Sequence, residues 1–187
     1  MPDETDLRRE KQRLRGEVRQ AAAALPQDYR SEASRKITEQ VLALEAYRNA
    51  RVVMAYVSLP GEPDTHEILA DAHRAGKAVL LPRCVSPERM EAQLFTGWED
   101  LLPGSRGIPE PRIRKADGET PEPDLILVPC ITASSDGKRL GHGAGYYDRF
   151  LAGKTTETVC LCFRQLIREE IPTGPLDQRM SRVITDD

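Results

Sequence analysis

The chain has 187 residues and a formal net charge of -3 at pH 7, which allows one substantial core and gives no general attraction to nucleic acid. We therefore predict one domain over residues 1–187. No apolar run is long enough to cross a bilayer, and the charged N-terminal segment lacks the apolar stretch of a secretory signal, so we predict a cytoplasmic protein without a membrane partner.

The first third of the chain has the pattern of two helices followed by a buried strand. Apolar residues at helical spacing predict one helix over residues 6–24 and a second over residues 28–46. The next run, residues 51–58, is short, rich in β-branched residues and almost uncharged. Such a run is typical of a strand that is buried on both faces of a sheet, and we expect it to be a central parallel strand.

A loop and a helix connect this strand to the next one. Prolines and a glycine predict a loop over residues 59–65, and a helix then runs to about residue 75. Residues 77–82 form the next buried strand, which completes a βαβ unit. Because ligands of open α/β sheets gather at the carboxyl edge of the strands, we single out Glu62 in this loop as a candidate ligand contact.

The rest of the chain supplies further strands. Residues 101–123 are rich in proline, glycine and charge and have little periodicity, which predicts a long ordered loop. Apolar or β-branched runs predict strands over residues 91–95, 125–128, 158–162 and 182–185. Alternation of these strands with helices indicates the α/β class.

The four cysteines lack the paired CxxC spacing of a zinc site. They are Cys84, Cys130, Cys160 and Cys162, and the last two alternate within an apolar run that predicts a strand. We therefore expect buried free thiols rather than a metal site or disulfide bonds.

A glycine-rich run, RLGHGAGYYDR, spans residues 139–149. Its alternating glycines, Gly141, Gly143 and Gly145, allow positive φ, which turns successive backbone N–H groups into one concavity that suits phosphate oxygens. Helical propensity returns at Tyr146, so we expect a helix to begin there. The run is neither a P-loop nor a GxGxxG fingerprint, so the glycines alone leave an ordinary loop as an equal alternative.

Charged residues elsewhere could complete such a site. Lys11 and Arg15 lie four positions apart on the first helix, where two cations can converge on one polyphosphate, although a solvated charged face is the alternative. Asp148 and Asp177 could supply oxygen ligands to Mg²⁺, but a lone aspartate is usually a cap or a surface group.

Taken together, these residues resemble the 5-formyltetrahydrofolate cyclo-ligases, also called 5,10-methenyltetrahydrofolate synthetases. The run RLGHGAGYYDRFL is similar to the family pattern RLGxGxGYYDRxL, and LILVPC precedes it. Further matches follow in the same order along nearly the whole chain: KQRLR at 11–15, GEPDT at 61–65, LLPR at 80–83, GIPEP at 107–111 and the tail IPTGPLDQRMSRVIT.

The resemblance implies a three-layer α/β/α fold with a mostly parallel sheet, and ATP and Mg²⁺ as cofactors. The residues that it assigns to ATP are Lys11, Arg15, Arg139, Leu140, Gly141, His142, Gly143, Ala144, Gly145, Tyr146 and Tyr147. Those that it assigns to the folate substrate are Val57, Glu62, His142, Gly143, Ala144, Gly145 and Tyr146. It implies Asp148 and Asp177 as magnesium ligands, and Arg139 and Tyr146 as catalytic residues.

The implied reaction converts 5-formyltetrahydrofolate to 5,10-methenyltetrahydrofolate. The formyl oxygen attacks the γ-phosphate of ATP and displaces ADP, which leaves a phosphorylated intermediate; N10 then closes the ring and expels the phosphate. Such phosphoryl transfer depends on positioning and charge neutralisation rather than on a nucleophilic side chain. Glu62 would accept hydrogen bonds from the amino and ring N–H groups of the pterin. We expect a monomer that acts on this small molecule.

One segment departs from the family pattern. Where the family commonly has GLAFD, residues 130–134 are CITAS, so an aromatic and an acidic residue are missing. Within the glycine-rich run, His142 and Ala144 occupy variable positions, and His142 could be a ligand contact or a simple surface residue. Two alternative functions stay open: an ATP-using paralogue for another formylated or thiamine-related compound, and a folate- or nucleotide-binding module without turnover.

Overall fold

The structure, a computed structural model, describes residues 4–104, 107–112 and 120–187. Within these residues the helices are α1 (Glu4–Ala24), α2 (Gln27–Ala43), α3 (Glu45–Asn49), α4 (His66–Arg74) and α5 (Tyr146–Leu151). The strands are β1 (Val52–Met54), β2 (Ala78–Cys84), β3 (Met90–Leu94), β4 (Leu101–Pro103), β5 (Pro109–Pro111), β6 (Leu125–Val128), β7 (Thr132–Ala133), β8 (Arg139–Leu140), β9 (Glu157–Leu161) and β10 (Arg182–Ile184).

The main sheet has six strands in the order β10, β9, β6, β1, β2, β3. All neighbours are parallel except β2 and β3, which are antiparallel. β1 is central, and its residue Val53 lies opposite both Val79 of β2 and Leu125 of β6. The predicted α/β class with a mostly parallel sheet is therefore confirmed, as is the central position of β1.

The direction of the strand order reverses at β1. From β1 the chain passes through α4 to β2 on one side, whereas β6, β9 and β10 follow one another on the other side. Such a reversal opens a crevice at the carboxyl ends of the two central strands, because their outgoing loops turn to opposite faces of the sheet. The loops after β1 and β6 are therefore placed to form a site together.

The core is built on the apolar strands. All four residues of β6 are buried, as are Val53 and Met54 of β1. Ile37 of α2 and Ile68 of α4 pack into the same continuous cluster. Each such side chain stabilises the fold by about 1.5–3 kcal/mol relative to an exposed one. Because the faces of the central strands are used for packing, their ends are left for function.

The second predicted helix is wrong at its C-terminal end. It was predicted to reach residue 46, but α2 ends at Ala43, because Leu44 adopts an extended backbone with φ −60° and ψ 133°. A separate short helix, α3, follows and carries Tyr47 into the interior. There the Tyr47 hydroxyl donates to Asp71 of α4 at 2.7 Å, so a tertiary contact accompanies the break.

β1 is shorter than the strand predicted over residues 51–58. It ends at Met54, and one further hydrogen bond to the sheet follows, from the N–H of Ala55 to the carbonyl of Leu80. The Thr65 hydroxyl then donates to the carbonyl of Tyr56 at 2.6 Å, so a side chain takes the place of a strand partner. The chain thus leaves the sheet early and enters the loop at the crevice.

The prediction of a long loop over residues 101–123 is wrong in part. β4 and β5 pair antiparallel, with Leu101 opposite Pro111. Prolines lack an N–H and usually mark loops, which hid these strands. Residues 105–106 and 113–119 of that prediction lie outside the described part of the chain.

The cysteines are free thiols, as predicted. Cys130, Cys160 and Cys162 are buried, whereas Cys84 is only half-buried. Across the described ranges, no helix has the length and apolar character that a membrane span requires.

Candidate functional site

Four parts of the chain meet near the carboxyl ends of β1 and β6. They are α1, the loop after β1, the glycine-rich loop that follows β6, and residues 174–178 near the C terminus. α1 contacts both the glycine-rich loop and residues 174–178, and the two loops contact each other. The site is therefore assembled by contacts between distant parts of the chain.

Two cations of α1 face the body of the protein. Lys11 and Arg15 are half-buried, whereas Arg8 on the same helix is exposed. The Lys11 ammonium donates to both carboxylate oxygens of Asp177, at 2.6 and 2.5 Å. Arg15 donates from Nε to the carbonyl of Gly141 at 2.9 Å. The two predicted cations thus converge on the predicted site.

Arg15 lies in the field of both predicted magnesium ligands. Burial lowers the pKa of its guanidinium, as does the charge of Arg19, whereas Asp177 and Asp148 raise it. A guanidinium remains a cation at neutral pH in any case. Asp177 pairs with Lys11 and Asp148 with Arg139, so each carboxylate lies beside a cation of the predicted site.

Arg139 is a buried cation at the start of the glycine-rich loop. Its side chain is 4% exposed and donates to the Pro129 carbonyl and to Asp148, each at 3.1 Å. Its Nε is buried without a hydrogen-bond partner among the described residues. Since an unpaired buried donor costs about 1–3 kcal/mol, a bound acceptor at Nε would be stabilised.

The glycine-rich loop has the expected left-handed backbone at two of its three alternating glycines. φ is +106° at Gly143 and +68° at Gly145. The expectation of a positive φ is wrong for Gly141, where a Cβ would instead lie 2.6 Å from Nη1 of Arg139. At Gly143 a Cβ would lie 3.3 Å from the guanidinium carbon of Arg15. The loop therefore provides a backbone concavity directly beside two cations.

Arg149, for which no role was predicted, holds this loop in place. Its guanidinium donates to the carbonyl of Ala144 at 2.7 Å and to that of Glu88 at 2.6 Å. It also lies 5.6 Å from the ring centroid of Tyr146, whose hydroxyl donates to the carbonyl of Ser86 at 3.0 Å. Its position inside the YYDR run was the one available signal. The loop is thereby fixed to the turn after β2.

Glu62 connects the loop after β1 to the glycine-rich loop. Its side chain is 7% exposed, and Oε1 lies 2.9 Å from Nε2 of His142. Oε2 accepts a hydrogen bond from the N–H of Leu59 at 2.8 Å. Because a carboxylate has about four acceptor positions, two remain for a ligand. His142 therefore contacts a candidate ligand-binding residue and is not a simple surface residue.

Two tyrosine hydroxyls belong to the loop after β1 and to the glycine-rich run, one on each. The hydroxyls of Tyr56 and Tyr147 are buried without a hydrogen-bond partner among the residues that the structure describes. Burial is the main cause that raises the pKa of both phenols, and the charge of Glu62 raises it further. Arg139 opposes this rise for Tyr147. Both hydroxyls therefore stay protonated and act as donors. Tyr56 was missed because nothing in the sequence distinguishes it from a core residue.

The remaining predicted residues are placed as follows. Leu140 is buried in β8, and Val57 is half-buried against the core beside Tyr56. Ala144 contributes its carbonyl to Arg149. Residues 130–134, which depart from the family pattern, are all buried, and Thr132 donates to a backbone carbonyl at 2.6 Å. The altered segment therefore packs inside the chain.

Asp148 and Asp177 are suited to a metal that arrives with phosphate. Each accepts a backbone N–H as well as its cation, from Gln178 and Gly174 respectively. No cluster of three or more His, Cys, Asp or Glu side chains able to hold a metal occurs in the described ranges. Mg²⁺ usually takes one or two carboxylates together with phosphate oxygens and water, so this donor set fits it.

Comparison with known proteins gives a consistent result. The model of the 5-formyltetrahydrofolate cyclo-ligase family matches residues 7–186. The 5-formyltetrahydrofolate cyclo-ligase of Saccharomyces cerevisiae is 31% identical over 95% of both chains, and that of Mus musculus is 28% identical over 95% of this chain and 94% of its own length. An NMR structure of Aquifex aeolicus 5,10-methenyltetrahydrofolate synthetase superposes with a TM-score of 0.81 at 26% identity, covering 94% of this chain and 89% of that one. The chain belongs to the 5-formyltetrahydrofolate cyclo-ligase family.

Proposed function

We propose that the chain converts 5-formyltetrahydrofolate and ATP to 5,10-methenyltetrahydrofolate, ADP and phosphate. The contact between Glu62 and His142 carries this proposal, because it joins a carboxylate suited to a pterin to a loop suited to phosphates. Attack of a formyl oxygen on ATP needs these two half-sites side by side. The relatives reported above are named for the same substrate, which supports the assignment.

On the phosphate side, Lys11, Arg15 and Arg139 would bind ATP together with the backbone N–H groups of the glycine-rich loop. Each cation now pairs with an acceptor of the protein, so nucleotide binding exchanges these contacts for phosphate oxygens. Neutralisation of the charge on the transferring phosphate is the main demand of this chemistry. Asp148 and Asp177 would hold Mg²⁺, which supplies further neutralisation when bound.

On the folate side, Glu62 would accept hydrogen bonds from the pterin. Its bonds to His142 and Leu59 fix the carboxylate and leave acceptor positions open. Val57 and the glycine-rich loop would form the adjacent wall, and Tyr146 stays a prediction as a catalytic residue. The single continuous core supports one domain, while a monomeric state and a cytoplasmic location rest on the sequence alone.

The test is an absorbance spectrum. Protein with Mg²⁺, ATP and 5-formyltetrahydrofolate is expected to give the near-ultraviolet band of the methenyl product and an equal amount of ADP. Omission of ATP should abolish the band. Glu62→Gln keeps the size of the side chain and removes its charge, so it should weaken folate binding and spare ATP binding.

Other outcomes of the same experiment would contradict the proposal. ADP release with a different formylated compound, but not with this folate, would indicate a paralogue with another substrate. Calorimetric binding of folate and ATP without either product would indicate a binding module. Residues 130–134 are all buried, and Thr132 donates to a backbone carbonyl, so their departure from the family pattern does not by itself favour another substrate.

A further inference from the structure

Tyr56 places an unpaired hydroxyl at the carboxyl end of β1. The residue is 3% exposed and precedes Val57, which the family resemblance assigns to the folate. Its carbonyl accepts the Thr65 hydroxyl at 2.6 Å, so the loop that carries Glu62 also fixes the backbone of Tyr56. The hydroxyl itself has no hydrogen-bond partner among the described residues.

A second buried tyrosine shows that burial in this fold does not in itself leave a tyrosine hydroxyl without a partner. Tyr47 is equally buried, at 3% exposure, and its hydroxyl donates to Asp71 at 2.7 Å. Tyr47 lies on α3 and bonds to α4, whereas Tyr56 lies in the loop two residues after the end of β1. An unpaired buried hydroxyl costs about 1–3 kcal/mol, a cost that phenylalanine would avoid. Such a group requires an explanation, and a ligand acceptor is one.

The surroundings of the Tyr56 hydroxyl place it in the candidate site. After burial, the charge of Glu62 is the largest cause that raises the pKa of this phenol, and Cys130, Cys160 and Tyr147 contribute further. Cys130 follows β6, and Cys160 is near the end of β9. The Thr65 hydroxyl holds the Tyr56 carbonyl and the Leu59 N–H holds the Glu62 carboxylate, so both residues are fixed by the loop after β1, at the carboxyl edge of the sheet.

The chemistry of a pterin ring matches this pair of groups. One edge of the ring carries two adjacent donors, the 2-amino group and the ring N3–H, and next to them one acceptor, the C4 carbonyl oxygen. A carboxylate that accepts from both donors brings that carbonyl oxygen close to its own negative charge. A neighbouring hydroxyl donor satisfies the carbonyl, which would otherwise be buried without a partner.

We propose that Tyr56 is a substrate-binding and specificity-determining residue, whose hydroxyl donates to the C4 carbonyl oxygen of the reduced pterin while Glu62 accepts from the adjacent N–H groups. The inference rests on the proposed function and defines the 4-oxo pterins as the ring class that this site selects. A ring without the C4 oxygen leaves the hydroxyl unpaired and binds less tightly.

Tyr56→Phe removes one oxygen atom and keeps the ring. The KM and the calorimetric dissociation constant for 5-formyltetrahydrofolate are expected to rise by about 3- to 10-fold, the range for one neutral hydrogen bond. The KM for ATP should stay near the wild-type value, and the melting temperature without ligand should be equal or higher. Tyr47→Phe is the matched control, since it should lower the melting temperature and leave the folate KM unchanged.

A ligand comparison separates a direct contact from a general disturbance. Competition by a reduced pterin and by its 4-thioxo analogue, which keeps the N3–H donor and offers only a weak acceptor at C4, is measured with wild type and with Tyr56→Phe. The ratio of the two inhibition constants should favour the 4-oxo compound more strongly in the wild type than in the variant. The two ratios should differ by about 3- to 10-fold. The inference would be overturned if wild type and Tyr56→Phe preferred the 4-oxo compound equally, or if Tyr56→Phe had the wild-type KM for the folate. The proposed function would stand in either case, provided that the wild type still converts the folate. A wild type that neither binds nor converts the folate would remove both.

Discussion

The two ends of the central strands differ in how their polar groups are paired. At the amino ends, the carboxylate of Asp124 accepts from the N–H groups of Arg51 and Val52, at 2.8 and 2.9 Å. Nearby, the Lys77 ammonium donates to backbone carbonyls that include that of Ala50, at 2.7 Å. These polar groups find their partners within the fold itself.

At the carboxyl ends, the pairing is incomplete or exchangeable. The hydroxyls of Tyr56 and Tyr147 and the Nε of Arg139 have no partner in the described part of the chain. Lys11 pairs with Asp177, and under the proposed function a phosphate oxygen would take the place of this carboxylate. Substitutions at the amino ends should therefore change stability, whereas substitutions at the carboxyl ends should change activity.

Arg139→Ala is expected to give the largest effect on activity. Loss of a cation at the transferring phosphate should raise the activation free energy by about 2–4 kcal/mol, which lowers kcat/KM for ATP by roughly 30- to 1000-fold. The rate of methenyl formation at saturating folate measures it. Arg35→Ala is the control, because Arg35 is exposed on α2 and pairs with Glu32. Since Asp148 also loses its partner, a melting curve must show that the variant is folded; a folded variant with the wild-type rate would remove Arg139 from the site.

A pair of glycines separates backbone strain from the geometry of the site. φ is +106° at Gly143 and +77° at Gly153, so alanine at either position should cost roughly 1 kcal/mol. Only at Gly143 does the new Cβ meet a site residue, 3.3 Å from the guanidinium carbon of Arg15. Both variants should therefore melt at similarly lowered temperatures, and only Gly143→Ala should raise the KM for ATP, by about 10-fold. Equal KM values would mean that the loop does not contact the phosphates.

The sheet could be predicted from the sequence because its strands are local patterns. β6 has the predicted bounds, since four consecutive apolar residues specify a strand buried on both faces. The end of β1 could not be predicted, because the Thr65 hydroxyl takes the carbonyl of Tyr56 and ends the strand. The break at Leu44 likewise depends on backbone geometry and on the inward position of Tyr47.

The sequence predicted which residue types form the candidate site, but it did not predict which of these residues contact each other. Helical spacing showed that Lys11 and Arg15 share a face, but the partner of Lys11 is Asp177, 166 positions away. The glycines indicated a concavity, yet Gly141 makes room for Arg139 instead of adopting a positive φ. Such contacts follow from the packing of whole elements, which no local pattern contains.

Asp124→Asn is expected to give the smallest effect, and it tests the amino ends of the strands. The two backbone N–H groups of Val52 and Arg51 are the main cause that holds the pKa of the Asp124 carboxyl below its ordinary value of 3.8. Because the folded-state pKa is depressed, the stabilisation is present above the unfolded pKa and is lost as the pH falls through the folded value. Asparagine keeps an acceptor oxygen and lacks the charge, so the substitution removes only the pH-dependent part of the stabilisation that Asp124 provides.

At pH 7 the wild type should therefore melt about 1–2 °C above Asp124→Asn, the size expected for an exposed charge in a chain of this length. The gap should begin to close as the pH falls below the unfolded-state pKa of about 4, and it should vanish once the folded carboxyl, whose pKa is lower, is protonated as well. The turnover of the two proteins at pH 7 should be equal, because Asp124 lies at the end of β6 opposite the crevice. A reduced turnover with an unchanged melting temperature would contradict the assignment of stability to the amino ends and activity to the carboxyl ends. It would mean that the charge of Asp124 acts on the site across the full length of the strand.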